Sequence, residues 1–160
     1  MPVFNHVYMG QQPGQPPPPS PNFVPTILQQ TGPLIQVQIE VPTALAQHLQ
    51  QAGQPIPAPV PGFGLLDTGA TISAVDNSVV QSLGVQSTGI ANVGTAGGTQ
   101  QQPVYPIRIT LPAHKINFDV SSALGATLSQ QGIVALLGRD FLQHFVLVYN
   151  GLHGMILMAL

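Results

Sequence analysis

The chain has 160 residues, of which 44% are hydrophobic and 5% are charged, with five acidic residues against three Lys and Arg. This length fits a single domain, and the net charge of -2 leaves no basic patch for phosphates, so nucleic acid is not an expected partner. The absence of cysteine excludes disulfides, thiolate metal sites and cysteine nucleophiles. Such sparse charge also favours self-association.

Residues 1–32 are predicted to form a flexible arm. Their Pro/Gln-rich stretch, Gln11 to Pro21, buries too little apolar surface to offset the entropy of ordering. A linker or leader fits this composition, and a Pro-rich recognition ligand is the alternative. The start lacks the charged and apolar regions of a signal peptide, and no apolar run is long enough to span a membrane. We therefore expect a soluble, cytoplasmic chain, or a segment of a longer precursor.

The second predicted unit, residues 33–160, consists mainly of short strands. Residues 34–41 alternate apolar and polar side chains, which predicts a half-buried strand, and residues 43–52 favour a short helix with Thr43 as its N-cap. A connector with four prolines then leads to an apolar run that ends at Asp67. Further along, the pattern predicts a strand and helical turn over 73–83, a glycine-rich hairpin around 93–99, strands at 104–111 and 116–120, a short helix at 139–144 and strands at 145–149 and 155–160.

The last of these strands, residues 155–160, is apolar at successive positions, which predicts that both of its faces are buried. Two interpretations stay open. The strand either completes the core of its own subunit or forms a contact between subunits.

Two motifs carry the chemistry. Gly64-Leu65-Leu66-Asp67-Thr68-Gly69-Ala70-Thr71 places a carboxylate where an apolar strand becomes a turn, and Leu136-Leu137-Gly138-Arg139-Asp140 follows about seventy residues later. Hydrolysis of a peptide without a metal or a covalent intermediate needs two adjacent carboxyl groups that share one proton. The chain has a single Asp-Thr-Gly, so a catalytic pair requires two chains. The plain alternative is a strand-ending turn in which Asp67 caps backbone amides.

In the order and content of these two motifs the chain resembles the retropepsin-like aspartic proteases, the family of retroviral proteases and their cellular relatives. The resemblance covers residues 34–160 and implies an all-β, closed barrel-like fold with one short C-terminal helix, active as a homodimer. It implies catalysis by Asp67, with Thr68 and Gly69 completing the loop, and structural support from Gly138, Arg139 and Asp140. Substrate-binding residues implied in the same way are Leu65, Ala70, Thr71 and the flap residues Gly94, Thr95, Ala96, Gly97 and Gly98.

One position departs from the family pattern. Retroviral members often have a second Asp two residues after the glycine, where this chain has Thr71. Asp76 or a backbone carbonyl is therefore expected as the partner of Arg139.

Other polar residues are assigned simpler roles. His114, His144 and His153 are too far apart in sequence for a local metal motif, so neither a metal nor a cofactor is expected. Asp140 is interpreted as a charge at the start of a helix, and Asp119 and Glu40 as solvent-facing strand residues.

The sequence thus favours a homodimeric aspartic endopeptidase that closes a flap over an extended peptide substrate. A non-catalytic dimer of the same fold that binds peptides or assembles a larger protein is the alternative. A latent precursor that removes its own arm, residues 1–32, is a third possibility.

Overall fold

The computed structural model describes residues 8–9, 25–95 and 98–160. Its strands are β1 (Tyr8–Met9), β2 (Leu34–Glu40), β3 (Val60–Leu66), β4 (Ala74–Asp76), β5 (Gly89–Thr95), β6 (Gly98–Leu111), β7 (Ile116–Ala126), β8 (Ala135–Leu137), β9 (Val146–Asn150) and β10 (Met155–Ala159). Its α-helices are α1 (Pro25–Thr31), α2 (Thr43–Gln51), α3 (Asn77–Ser82) and α4 (Arg139–Leu142), with 3₁₀ turns at Ser129–Gln131 and Gly151–His153. The predicted mostly β architecture is confirmed.

Seven strands form the main sheet, in the order β2-β3-β8-β4-β7-β6-β5. Because β2 also pairs with β6, six of these strands form a closed circuit of pairing, and β5 extends it as the outer strand of a hairpin with β6. The circuit encloses the main core, whose most buried side chains include Ile39, Ile107, Ile109, Leu137 and Phe141. The predicted strand at 34–41 is confirmed, since Ile35, Val37 and Ile39 of β2 are buried on alternate positions.

The predicted short C-terminal helix is present as α4, and the described residues contain three further α-helices, of which only α1 lies where no helix was predicted. Helix α1 lies inside the predicted flexible arm, where Leu28 is buried in the core. The Pro/Gln-rich composition of the arm concealed the apolar pair Ile27-Leu28, and Pro25 at the first helical position suits a helix start. Residues 1–7 and 10–24 of the arm lie outside the described residues.

Helix α2 occurs where it was predicted, but its predicted cap is wrong. Pro42 is the N-cap residue, and no side chain caps the helix from that position. Instead, the Asp119 carboxylate on β7 accepts hydrogen bonds from the Thr43 backbone N–H at 3.3 Å and from the Thr43 hydroxyl, and it pairs with Arg108 Nε at 3.0 Å. Burial opposes the charge of Asp119, but the bonds from Thr43 and Arg108 lower its pKa. Asp119 is therefore more than a solvent-facing strand residue, and Glu40 likewise accepts a hydrogen bond from the Thr110 hydroxyl at 2.7 Å.

The C-terminal residues form a second, three-stranded sheet in the order β1-β10-β9. In β10, Ile156 and Met158 are buried and belong to the main core, whereas the residues between them are half-buried. The prediction that both faces of this strand are buried is therefore wrong for one face. In the part of the chain that the structure describes, no helix has the length and apolar character needed to cross a membrane.

Candidate active site

The two sequence motifs lie side by side because β3 and β8 are parallel neighbours. Leu65 pairs with Leu136 and Leu66 with Leu137, and the Asp67 N–H donates to the Leu137 carbonyl at 2.9 Å. The strands pack closely at Gly64, since a Cβ there would lie 2.9 Å from Leu137 Cδ1 and would displace that side chain. The Asp67 loop therefore begins at a position that the register of the two strands fixes.

The carboxylate of Asp67 is held on one side only. Its Oδ1 accepts hydrogen bonds from the backbone N–H groups of Gly69 at 2.8 Å and Ala70 at 3.3 Å. No other hydrogen bond to this carboxylate comes from the described residues, so Oδ2 stays available. The group is half-buried, and the following Thr68 and Gly69 are exposed. Asp67 thus caps its own turn, as the plain alternative predicted, and still presents one oxygen outward.

Arg139 holds the loop that carries Asp67. Its guanidinium donates to the carbonyls of Thr68 at 2.8 Å and Gly69 at 3.1 Å, and to the Thr71 hydroxyl at 2.7 Å. Its backbone N–H donates to the Ala70 carbonyl at 2.9 Å. Of the two partners predicted for Arg139, a backbone carbonyl is therefore correct and Asp76 is wrong, and the Thr71 hydroxyl is a further partner.

Asp76 instead joins three segments of the fold from a position that is 3% exposed. Its carboxylate accepts from the backbone N–H groups of Ser78 at 2.8 Å and of Leu128 and Ser129 at 2.7 Å, and from the Ser78 hydroxyl. Burial alone would raise the pKa of Asp76, but these hydrogen bonds lower it to about 2. Asp76 is consequently ionised at any ordinary pH and caps α3.

Sequence reasoning missed Ser73, a fully buried residue that connects the two motifs. Its hydroxyl donates to Asp140 Oδ1 at 2.7 Å and accepts from the Gly138 N–H at 3.0 Å, and its backbone N–H donates to the same carboxylate at 2.9 Å. Asp140 thus lies in the first turn of α4, as predicted, and its carboxylate also holds Ser73, in the segment that follows the Asp67 loop. A serine between Ile72 and the apolar pair Ala74-Val75 was the available signal, since a buried hydroxyl needs partners.

Gly138 lies against backbone in the same region. A Cβ at this position would lie 2.8 Å from the Ile72 carbonyl carbon and 3.0 Å from the Ser73 nitrogen. Only glycine permits this approach without a shift of the backbone.

The glycine-rich hairpin predicted around 93–99 is present as β5 and β6, which pair antiparallel up to Thr95 and Gly98, and its role as a flap stays a prediction. Ala96 and Gly97 lie outside the described residues. Gly94 is exposed, and Gly98 has a φ of 109°, in the region that favours glycine. Val93 and Ala91 pack against a second apolar cluster that also contains Leu65 and Leu136. The hairpin and the two motif strands thus share one apolar cluster.

The histidines occupy separate places. His144 stacks on Phe118 with ring centroids 5.2 Å apart, and the His153 ring lies 3.1 Å from Asn150 Oδ1. Within residues 8–9, 25–95 and 98–160, no group of three or more His, Asp or Glu side chains is arranged to bind a metal ion.

Comparison of the sequence with known protein families identifies the family to which this chain belongs. Residues 61–144 match the family described as "gag-polyprotein putative aspartyl protease", a span that includes both motifs and the flap hairpin. No curated protein matches the chain in sequence.

Two solved structures are similar to the chain. The Simian Foamy Virus (mac) protease in solution has 16% identity and a TM-score of 0.42, over 69% of this chain and 92% of that one. A foamy viral protease-reverse transcriptase in complex with an RNA/DNA hybrid has 17% identity and a TM-score of 0.41, over 71% of this chain and 12% of that one. The RNA/DNA hybrid is bound in that complex and says nothing about this chain. The expectation that this chain does not bind nucleic acid therefore stays a prediction. On the family match, the chain belongs to the retroviral-type aspartyl proteases.

Proposed function

We propose that two copies of this chain form an aspartic endopeptidase, in which Asp67 of each copy contributes one carboxyl group to a shared site. The closed circuit of strands then serves as the barrel-like body of each subunit, and Thr68 and Gly69 complete the catalytic loop. The hairpin residues Gly94 to Gly98 close over an extended peptide, which Leu65, Ala70 and Thr71 contact from below.

The outward oxygen of Asp67 is the observation that carries this proposal. Oδ1 is fixed by Gly69 and Ala70, and Oδ2 has no partner among the described residues. No buried side-chain oxygen of the described residues lacks a partner, so this oxygen is open to solvent and can bind water. A water molecule shared with Asp67 of a second copy would satisfy it.

The reaction follows from the chemistry of two adjacent carboxyl groups. Two such groups cannot both ionise at close range, so they share one proton. The ionised carboxylate takes a proton from the water as the water oxygen bonds to the scissile carbonyl carbon, and the protonated carboxyl group donates to the carbonyl oxygen. When the tetrahedral intermediate collapses, the C–N bond breaks, the leaving amine takes the proton from the carboxyl group that removed it from the water, and the other carboxyl group regains its proton. Arg139, Ser73 and Asp140 do not take part in these transfers; they hold the loop through the hydrogen bonds described above.

The surroundings of Asp67 favour apolar substrate side chains. Leu65, two residues before Asp67, packs with Leu136 and Val93 against the second apolar cluster. The guanidinium of Arg139 is already engaged by Thr68, Gly69 and Thr71. A charged substrate side chain would therefore lose its hydration without gaining a partner there.

The substitution Asp67→Asn tests the proposal. It should lower the cleavage rate of apolar peptides by at least about 10³-fold, because each copy loses its carboxyl group and the shared-proton pair is lost entirely. The matched control is Asp119→Asn, the same chemical change at a carboxylate that serves helix α2, and it should keep the wild-type rate. Turnover should also fall as the pH rises and the second carboxyl group ionises.

Two outcomes would count against this mechanism. Cleavage that survives Asp67→Asn would contradict the role of the carboxylate. Wild-type protein that binds these peptides but cleaves none of them from acidic to neutral pH would favour the non-catalytic peptide-binding dimer.

A further inference from the structure

The turn between β9 and β10 holds the one place in the sequence where an asparagine directly precedes a glycine. Asn150 ends β9, and Gly151 begins the exposed 3₁₀ turn Gly151–His153. A main-chain nitrogen can attack the side-chain amide of the residue before it. Glycine is the residue that shields this nitrogen least, because it has no Cβ. The turn therefore brings an electrophile, a nucleophile and solvent together.

The nitrogen of Gly151 has no hydrogen-bond partner. As the first residue of the turn, Gly151 finds no acceptor for its N–H inside the turn. None of the hydrogen bonds among the described residues uses this N–H as a donor. The carbonyl of Gly151, in contrast, accepts from the Gly154 N–H at 3.4 Å. The Gly151 nitrogen can therefore lose its proton to solvent without the loss of a hydrogen bond.

The side-chain amide of Asn150 is both held and polarised. Its Oδ1 accepts a hydrogen bond from the His153 backbone N–H at 3.2 Å, which turns the side chain back over the turn. The same oxygen lies 3.1 Å from His153 Nδ1. An amide oxygen only accepts, so the imidazole donates through Nδ1–H. Two donors on Oδ1 stabilise the negative charge that develops there when Cγ is attacked, as the donors of an oxyanion hole do.

We propose that Asn150 is a site of self-modification, deamidated by the Gly151 nitrogen with His153 assisting. The Gly151 nitrogen loses its proton and bonds to Asn150 Cγ. The bond from Cγ to Nδ2 breaks, and the departing NH₂ group takes up the proton and leaves as ammonia. Water then opens the resulting five-membered succinimide ring. Addition at Cγ gives aspartate, and addition at the main-chain carbonyl gives isoaspartate. Overall one water is consumed and one ammonia is released.

The two products have different effects on the hairpin. Aspartate adds a carboxylate to a stretch, residues 141–160, that contains no Asp, Glu, Lys or Arg, and this carboxylate still accepts from His153. Isoaspartate adds one carbon to the main chain at Asn150, which pairs with Met155 at the start of β10. The next residue, Ile156, belongs to the main core. Isoaspartate at this position therefore loosens the packing of β10.

Timed mass spectrometry tests the site. Protein that carries Asp67→Asn, which prevents self-cleavage, is incubated folded at neutral pH, and its peptides are followed for the replacement of NH₂ by OH. Asn150 should be converted at least about tenfold faster than Asn92 and Asn117, which are also exposed but precede large side chains. A methyltransferase that labels isoaspartate but not aspartate separates the two products.

Two variants in the same background assign the roles. Gly151→Ala shields the nitrogen and should slow the conversion by at least about tenfold; its Cβ would meet only the ring of Tyr149, at 3.3 Å. His153→Ala keeps the backbone donor but removes the ring donor, and should slow the conversion by about fivefold. The matched control is His48→Ala, at an exposed histidine on α2, which should leave the rate unchanged. Far-UV circular dichroism checks that the variants are folded.

Thermal unfolding tests the consequence for the hairpin. Protein enriched in isoaspartate should unfold at a lower temperature than fresh protein, whereas Asn150→Asp, which has the charge without the extra carbon, should unfold close to fresh protein. Equal unfolding temperatures for the isoaspartate form and fresh protein would contradict the loosening of β10.

The outcomes of the rate measurements are distinct. Fast conversion of Asn150 that both variants slow supports the proposal. Conversion no faster than that of Asn92 and Asn117, or an undiminished rate in Gly151→Ala, overturns the site. An undiminished rate in His153→Ala overturns the part assigned to the imidazole. None of these measurements requires peptide cleavage, so they stand apart from the test of the endopeptidase.

Discussion

Asp76 gives the prediction that the structure defines most closely, since its carboxylate is buried and ionised. Replacing it with Asn keeps the size of the side chain but removes the charge. It also turns one acceptor into an N–H donor facing the backbone N–H groups of Ser78, Leu128 and Ser129. The free energy of unfolding should therefore fall, and by an amount that depends on pH.

The size of this effect follows from the pKa. The folded value is about 2 and the ordinary value is 3.8, so ionised Asp76 stabilises the fold by about 2.4 kcal/mol at neutral pH. A lowered folded pKa gives stability that is fully present above the unfolded value and is lost as the pH falls through the folded one. The contribution should be about 1.3 kcal/mol at pH 3 and about 0.4 kcal/mol at pH 2.

Urea unfolding of Asp76→Asn and its parent between pH 7 and pH 2 would measure this difference. Both carry Asp67→Asn to prevent self-cleavage, and they are compared at equal protein concentration because dimerisation adds to stability. The chain has no tryptophan, so far-UV circular dichroism is the signal. Asp119→Asn is the control, and its half-exposed carboxylate should cost no more than about 1 kcal/mol. A gap between Asp76→Asn and its parent that stays constant down to pH 2 would refute the assignment.

Two further predictions concern the loop that carries Asp67. Arg139→Met removes three hydrogen bonds to that loop and should lower kcat for peptide cleavage by at least about tenfold, with less effect on KM. The kcat of Arg139→Lys should fall between those of Arg139→Met and wild type. Equal kcat values for all three proteins would contradict a positioning role. Gly138→Ala should lower the free energy of unfolding by about 2 kcal/mol, because the new Cβ meets backbone of Ile72 and Ser73. Gly89→Ala, where a Cβ meets nothing within 4 Å, is its control and should be nearly neutral in the same thermal-melt comparison.

Local pattern was enough to predict most of the strands. The alternation in residues 34–40 and the continuous apolar run before Asp67 each correspond to an observed strand. Both signals depend only on neighbouring residues, because the side chains of a strand alternate between its two faces. The order of the two motifs indicated the family, whereas the parallel pairing of the strands that carry them was not predicted. The flap hairpin was indicated by its glycines, although Ala96 and Gly97 lie outside the described residues.

The errors arose where a residue's partner is distant in sequence. Thr43 is bound by Asp119, 76 residues away, and Ser73 by Asp140, 67 residues away. No local rule connects such pairs. Helix α1 was missed because composition was averaged over the whole arm, which hid the one buried leucine, Leu28.

The parallel pairing of β3 and β8 explains why the two motifs need a long stretch of chain between them. Parallel neighbours cannot be joined by a tight turn, so the chain must leave one end of β3 and return to the other end of β8. Here the intervening chain forms β4 to β7 and so supplies the β5–β6 hairpin and the strands that close the circuit. The same register that aligns Leu65 with Leu136 brings the start of the Asp67 loop beside Gly138 and Arg139. Any insertion that shifted β8 by one residue would therefore turn Leu136 and Leu137 to opposite faces and withdraw Arg139 from Thr68 and Gly69.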